Sequence, residues 1–363
     1  MGRKLSSDKP LFLAILGLVF FGLVMIFSSS AITAIEKYQN PYYFLIKQVV
    51  WAILGFGVIG VLLYVPYAFF RKPAFVYSAL GIALILLCLV LVMPAVNNTH
   101  RWIRWMGASL QPSEFAKFAL MFYLAYQLDK KRGRIGDFKM TILPCLFMTG
   151  LFFVLIYLEP DYGAAVTMAF IAGIMLFLAG IPIRYLVGGA MAMMPFAAAL
   201  LFRAGYRKER LLAFLHPEAD PLGSGFQILQ SLIAVGKGGI LGGGLGESTQ
   251  KLYYLPYAYT DFIYAVVGEE LGLLGCLGVV SLFLLVFWRG MRASVRAPDF
   301  HGSLLAAGIT SLIVCQGLIN ISVVLGLLPT KGIPLPFFSF GGSSLLTNML
   351  GVGILLNISQ HSA

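Results

Sequence analysis

The sequence predicts an all-α polytopic membrane protein of about ten transmembrane helices, forming a single domain over residues 1–363. Two observations carry that prediction. The chain is 59% hydrophobic and only 11% charged, where a soluble domain carries roughly 25% charge. Uncharged apolar runs recur from residue 11 to the C-terminal end, and about 20 such residues suffice to cross a bilayer. The net charge of +11 fits basic loops facing anionic lipid, and no nucleic-acid-binding module is present.

The first span, 11–29, follows Arg3, Lys4 and Lys9. Ser29-Ser30-Ala31 could pass for a cleavage site. The run is longer than a signal-peptide core, however, and many spans follow, so an uncleaved first helix is expected. Spans at 47–66, 74–95, 112–128, 140–158, 163–182 and 185–202 come next. A long segment, 203–261, precedes the last three spans at 262–288, 303–328 and 342–358. Ten is even, so both termini share a side. With the N-terminus inside, the inner segments hold fourteen Lys and Arg and the outer ones twelve, six of them in 203–261. Loops that long weigh little in the positive-inside rule, so both termini are expected in the cytoplasm. Cys88, Cys145, Cys276 and Cys315 each sit in an apolar run without CxxC spacing. They read as small hydrophobes, with no disulfide or metal framework.

Four outer segments are chemically mixed: 96–117, Glu159-Pro160-Asp161, 203–261 and 329–344. Loops of this kind on a helical scaffold carry function. In the first, Arg101 and Arg104 precede Gln111-Pro112-Ser113-Glu114-Phe115-Ala116-Lys117. Pro112 suits a first helical position, Glu114 can reach back to cap, and Lys117 shares its face. The outward-facing helix N-terminus and its cations suit a phosphate or pyrophosphate. Interfacial anchoring with a structural Glu114–Lys117 pair accounts for the same residues.

Asp161 is either a boundary carboxylate with a function or the cap of the next helix. In the long loop, Phe226, Leu229 and Ile233 share one side, opposite Gln227, Gln230 and Lys237, as in a short interfacial helix. The glycines that follow, including Gly242-Gly243-Gly244, are either an anion-binding nest or plain flexible chain. Asp261 stands where the chain re-enters the membrane. At 100° per residue, Glu269 lies about 80° round from it and Glu270 about 180°, so Glu269 is the one expected to share its cavity. A partly desolvated Asp261 can act as a general base, ligate a hard divalent cation, or simply cap a helix. The last outer segment, Pro329 to Ser344, holds three prolines at 329, 334 and 336 and the pair Gly341-Gly342. It reads as a rigid re-entrant turn, and Lys331 adds a cation.

The blocks RWI with QPSEFAK, EPDYG, FQILQSLIAVGKGG, TDFIYAVVGEELG and PTKGIPLPFFSFGGSS together resemble the SEDS family of shape, elongation, division and sporulation proteins. They stand in family order across nearly the whole chain. GLGESTQKLYYLP and PTKG are most similar to the division type, with the elongation type as the rival. The resemblance implies a SEDS fold and an inverting glycosyltransferase that polymerises lipid II into peptidoglycan on the outer face of the bacterial cytoplasmic membrane, at the division septum. It implies Asp261 as the catalytic acidic residue or a metal ligand, with Mg2+ or Mn2+ as the cation and no organic cofactor. It also implies substrate contacts from Arg101, Glu114, Lys117, Gln227, Lys237, Lys331 and Ser343, with Asp161 and Glu269 as supporting acids. The implied partners are a class B penicillin-binding protein (a transpeptidase), divisome proteins, and undecaprenyl-pyrophosphate-linked glycan. The family's acidic and histidine positions before TDF are Tyr257 and Tyr259 here, and Glu159 stands where the family often has Gln. A lipid II flippase or a non-catalytic transpeptidase scaffold would use the same surface. A flippase, however, predicts a polar path across the bilayer, and few charges other than Glu269 and Glu270 lie deep in the spans.

Overall fold

The computed structural model describes residues 7–94, 99–105, 108–203, 210, 212–220, 223, 225–251, 255, 258–330 and 332–361. Each predicted span overlaps a helix. These are α1 (Lys9–Tyr38), α2 (Tyr43–Tyr64), α3 (Pro73–Val92), α4 (Pro112–Lys130), α5 (Leu143–Leu158), α6 (Tyr162–Leu178), α7 (Ile183–Arg203), α9 (Ile263–Val295), α10 (Phe300–Val324) and α11 (Gly342–Gln360), with α8 (Phe226–Gly238) inside the long loop. Among the described residues, seven helices are long and apolar enough to cross a membrane: α1, α2, α3, α5 with its preceding π turn, α9, α10 and α11.

The helices begin where local chemistry permits. Asp8 accepts from the Leu11 N–H at 3.0 Å, satisfying one of the orphan donors of the first turn of α1. α1 runs 30 residues, about 45 Å at 1.5 Å per residue, well beyond its predicted end at 29. α4 starts on Pro112 as expected, but Glu114 does not cap it. The Glu114 side chain turns instead to Lys117.

α10 and α11 form the centre of the bundle and are buried along most of their length, whereas α2, α3 and α9 show most of theirs to the surroundings. α2 packs on α11, α3 on α4, and α1 and α10 on α9. The start of α1 and the end of α11 meet: the Asp8 N–H donates to Ser359 Oγ at 3.2 Å. That end of the bundle is tied by ion pairs, Arg289 with Asp8 at 2.6 Å and Arg71 with Asp129 at 2.7 Å. The mixed-chemistry loops gather at the opposite end.

There the glycine-rich chain has a definite role. α9 is broken at Gly272, whose φ is 62°, a conformation costly for any side chain with a β-carbon. The break frees backbone groups, and the loop satisfies them. Gly243 and Gly244 donate to the carbonyls of Glu269 and Glu270 at 2.9 and 3.0 Å, while Leu273 and Leu274 donate to Gly239 and Ile240. The Gly242 N–H is already spent on Gly238. The expected anion nest is therefore corrected: these amides are consumed by splicing the loop into a broken helix. Close approach explains the glycines, since a β-carbon at Gly242 would lie 2.2 Å from the Glu270 carbonyl oxygen. The splice anchors α8 against α9.

Candidate active site

The site is assembled by hydrogen bonds among loops distant in sequence. A small hairpin pairs Ile103 with Leu110 and Arg104 with Ser109. From its start, Arg101 donates to the carbonyls of Glu159, at 3.2 Å, and Pro160, the orphan acceptors at the end of α5. From its far side, Gln111 donates to Asp161 Oδ2 at 2.8 Å. Asp161 Oδ1 caps α6 through the Ala164 N–H at 3.1 Å, so the capping reading of Asp161 holds. Ser343 donates to the Ser109 carbonyl at 2.6 Å and accepts from the Gln111 N–H, stapling α11 to the hairpin.

The last loop re-enters the bundle. Phe338 is fully buried and presses on α1, where a β-carbon at Gly22 would lie 2.8 Å from the Phe338 Cα. The loop pairs with the chain leading into α9. Ser339 Oγ donates to the Thr260 carbonyl at 2.6 Å, and the Phe340 N–H donates to Tyr259 at 3.0 Å. Asn320 of α10 donates to the carbonyls of both Asp261 and Ile333, each at 2.8 Å.

Asp261 stands at the centre, half-buried, in a cleft of about 70 Å³ lined also by Arg210, Gln227, Asn320, Thr330 and Gly332. That volume holds one small polar group or a few waters. Burial pushes the Asp261 carboxyl up to about 6. Asp161 adds to the rise, while Arg210 and Arg101 oppose it. Three outer segments therefore act electrostatically on one carboxylate, although Arg101 and Asp161 do not line the cleft. Glu159 is fully buried with neither carboxyl oxygen partnered among the described residues. Burial and the neighbouring Asp161 raise it to about 9, so it is neutral near pH 7.

Other expected site residues lie elsewhere. Glu114 and Lys117 form a buried pair at 2.8 Å inside α4, away from the cleft lining, because the helix that carries them is packed on several sides. Lys237 bonds Thr249 Oγ at 2.6 Å and Glu269 at 3.3 Å. The expectation that Glu269 shares the Asp261 cavity is corrected. Its carboxylate accepts from Ser248 Oγ and from the backbone of Thr249 and Gln250, because the spliced loop folds back over it. Ser343 acts as a staple instead of lining the cleft. Gln227 does line it. Lys331 lies outside the described residues. Sequence reasoning missed Asn320, Thr330 and Gly332. The one signal for Asn320 was a carboxamide inside an apolar span, a position where polar side chains usually bond across helices.

Among the described residues no three His, Cys, Asp or Glu side chains cluster to hold a metal ion. The donor set suits a divalent cation only in the Mg2+ manner, one carboxylate completed by waters and substrate oxygens, with Asp261 as that carboxylate.

The model of the family described as "Cell cycle protein" (FtsW/RodA/SpoVE) matches residues 9–363. The chain is 44% identical over 357 residues to "Probable peptidoglycan glycosyltransferase FtsW" of Geobacter sulfurreducens, covering 98% of this chain and 95% of the relative. It is 40% identical over 364 residues to "Stage V sporulation protein E" of Bacillus subtilis, covering 99% of each. Among solved structures, a chain from work on "Structural coordination of polymerization and crosslinking by a peptidoglycan synthase complex" superposes with a TM-score of 0.80 at 28% identity, covering 98% of both.

Proposed function

This chain belongs to the FtsW/RodA/SpoVE family of cell cycle proteins, and from that premise we propose that it is a peptidoglycan glycosyltransferase of the division type. It polymerises lipid II on the outer face of the bacterial cytoplasmic membrane, at the septum. The observation that carries this reading is Asp261: a half-buried carboxyl held near pKa 6, in a cleft at the end of the bundle opposite the Asp8–Ser359 contact.

The chemistry follows from that placement. A sugar hydroxyl is a weak nucleophile and needs a base within reach. The Asp261 carboxylate takes the proton of the acceptor GlcNAc 4-hydroxyl. The hydroxyl oxygen bonds to C1 of the donor MurNAc, the C1–phosphate oxygen bond breaks, and undecaprenyl pyrophosphate leaves with the electron pair. One base and no covalent intermediate give inversion, by analogy with inverting glycosidases. The cleft admits a hydroxyl and not a disaccharide, so the sugars lie across its mouth. Arg210 beside Asp261 supplies positive charge for the phosphates. Were Asp261 instead the ligand of a Mg2+ or Mn2+ ion, that ion would supply Lewis acidity toward the pyrophosphate. Loops stitched to one another leave the long helices free to meet a partner helix, and a class B penicillin-binding protein fits that role.

The buried carboxylates of the helices argue against a flippase. Glu114, Glu269 and Glu270 are each engaged by a lysine of the same chain, which spends them on structure. The test is polymerisation of lipid II by the purified chain with its transpeptidase, beside Asp261→Ala. Glycan from wild type and none from the folded variant supports the reading. Scrambling of lipid II across liposomes without any polymer would overturn it.

A further inference from the structure

Asn320 sits on α10, in the most buried part of the bundle, and is 1% exposed. Its Nδ2 carries two hydrogens, and each is given to a backbone carbonyl on a different segment, Asp261 before α9 and Ile333 in the last loop, both at 2.8 Å. Its Oδ1 has no partner among the described residues. An amide that satisfied only its own needs would not leave a buried acceptor unpaired. The orientation is therefore dictated by the donor end: two carbonyls must be held, and the oxygen is left over.

Those two carbonyls bracket the site. Asp261 and Ile333 both line the cleft, as does Asn320 itself, and Gly332 beside Ile333 lies against the Asp261 carboxylate. Neither segment is helical at these positions, so neither carbonyl has an intrahelical donor to hold it. α10 is buried along most of its length. One side chain of a buried helix thus holds both the loop that carries the base and the loop that forms the opposite wall, beside the bonds that Ser339 and Phe340 make to Thr260 and Tyr259.

We propose that Asn320 is a positioning residue for the reaction, an amide clamp that fixes the Asp261 segment to the last outer loop. It acts through Asp261 and not on the substrate. The inference deepens the glycosyltransferase reading and rests on it only for its kinetic part.

Two variants separate the possibilities. Asn320→Asp keeps the shape but can donate at most one hydrogen bond, and only when protonated, so it cannot hold both carbonyls. Asn320→Leu keeps volume and removes both hydrogen bonds. With the transpeptidase partner present, each is expected to lower kcat for lipid II polymerisation at least tenfold while KM stays within about threefold of wild type, because near-attack geometry is lost and not binding. Hydrogen exchange at the backbone amides of residues 332–340 is expected to quicken at least tenfold in both. The exchange readout needs no substrate, so it tests the clamp even if wild type fails to polymerise lipid II and the functional reading falls. If Asn320→Leu does not fold in detergent, Asn320→Asp decides. Either folded variant with at least half of the wild-type kcat and unchanged exchange overturns the proposal. So does a raised KM at unchanged kcat, which would make Asn320 a plain substrate contact.

Discussion

Gly332 lies directly against Asp261: a β-carbon added to it would stand 3.5 Å from the Asp261 Oδ2, and its φ is +65°. The last outer loop thus presents bare backbone to the carboxylate that the site is built around. Gly332→Ala introduces a left-handed alanine, at a cost of about 1–2 kcal/mol, and a methyl group in the wall of a cleft only about 70 Å³ in volume. The variant is expected to fold and to lose tenfold or more in lipid II polymerisation. Wild-type rates from it would mean that the cleft does not take the reacting hydroxyl.

Asp261→Asn should abolish polymerisation with little change in thermal stability, since the carboxamide keeps the shape. In wild type the carboxyl titrates near pH 6, and the base is the ionised form. The rate is expected to climb about tenfold per pH unit below that value and to level off above it. A rate that instead falls as pH rises through 6 would assign Asp261 the opposite role, a proton donor.

Glu159→Gln should be tolerated in activity and should stabilise the fold. The folded carboxyl is raised from 4.5 to about 9, so the native state holds a proton that the unfolded state has released. Wild-type stability then declines between those values by about 1.4 kcal/mol per pH unit at most. A neutral carboxamide at this position would carry no such penalty. Melting curves in detergent should show the advantage of the variant growing from pH 5 to pH 9. An advantage that is constant with pH would show that Glu159 is not held neutral.

Lys251 Nζ and Glu270 form a buried pair at 2.7 Å, joined by Ser28 Oγ of α1 at 2.7 Å from the same carboxylate. Lys251→Met strands a buried charge and should cost about 3–5 kcal/mol. Lys251→Met combined with Glu270→Gln should recover much of that loss. Equal destabilisation by the single and double variants would show that the pair is not coupled.

Much of this fold was legible from residue order alone. Helices lie in all ten predicted spans, α8 falls where Phe226, Leu229 and Ile233 shared a side, and Asp161 caps α6 as its position before Tyr162 suggested. These are local matters, set by hydropathy, period and capping chemistry within a few residues. The glycine run was visible, but its partner was not, because Gly243 and Gly244 bond carbonyls of Glu269 and Glu270 across a break in α9.

The site divides along the same line. By itself the sequence determined a multi-helix membrane protein with its mixed chemistry at loops, singled out Asp261, and carried the blocks that mark its family. Only the tertiary structure decided which residues surround Asp261. It brought Asn320 and Gly332 to it and spent Lys117, Ser343 and Glu269 on pairs and staples. Angular arithmetic along one ideal helix put Glu269 on the side of Asp261. A loop folding back over that carboxylate reversed the outcome, because a carboxylate buried in a bundle is claimed by whichever donors long-range packing delivers to it.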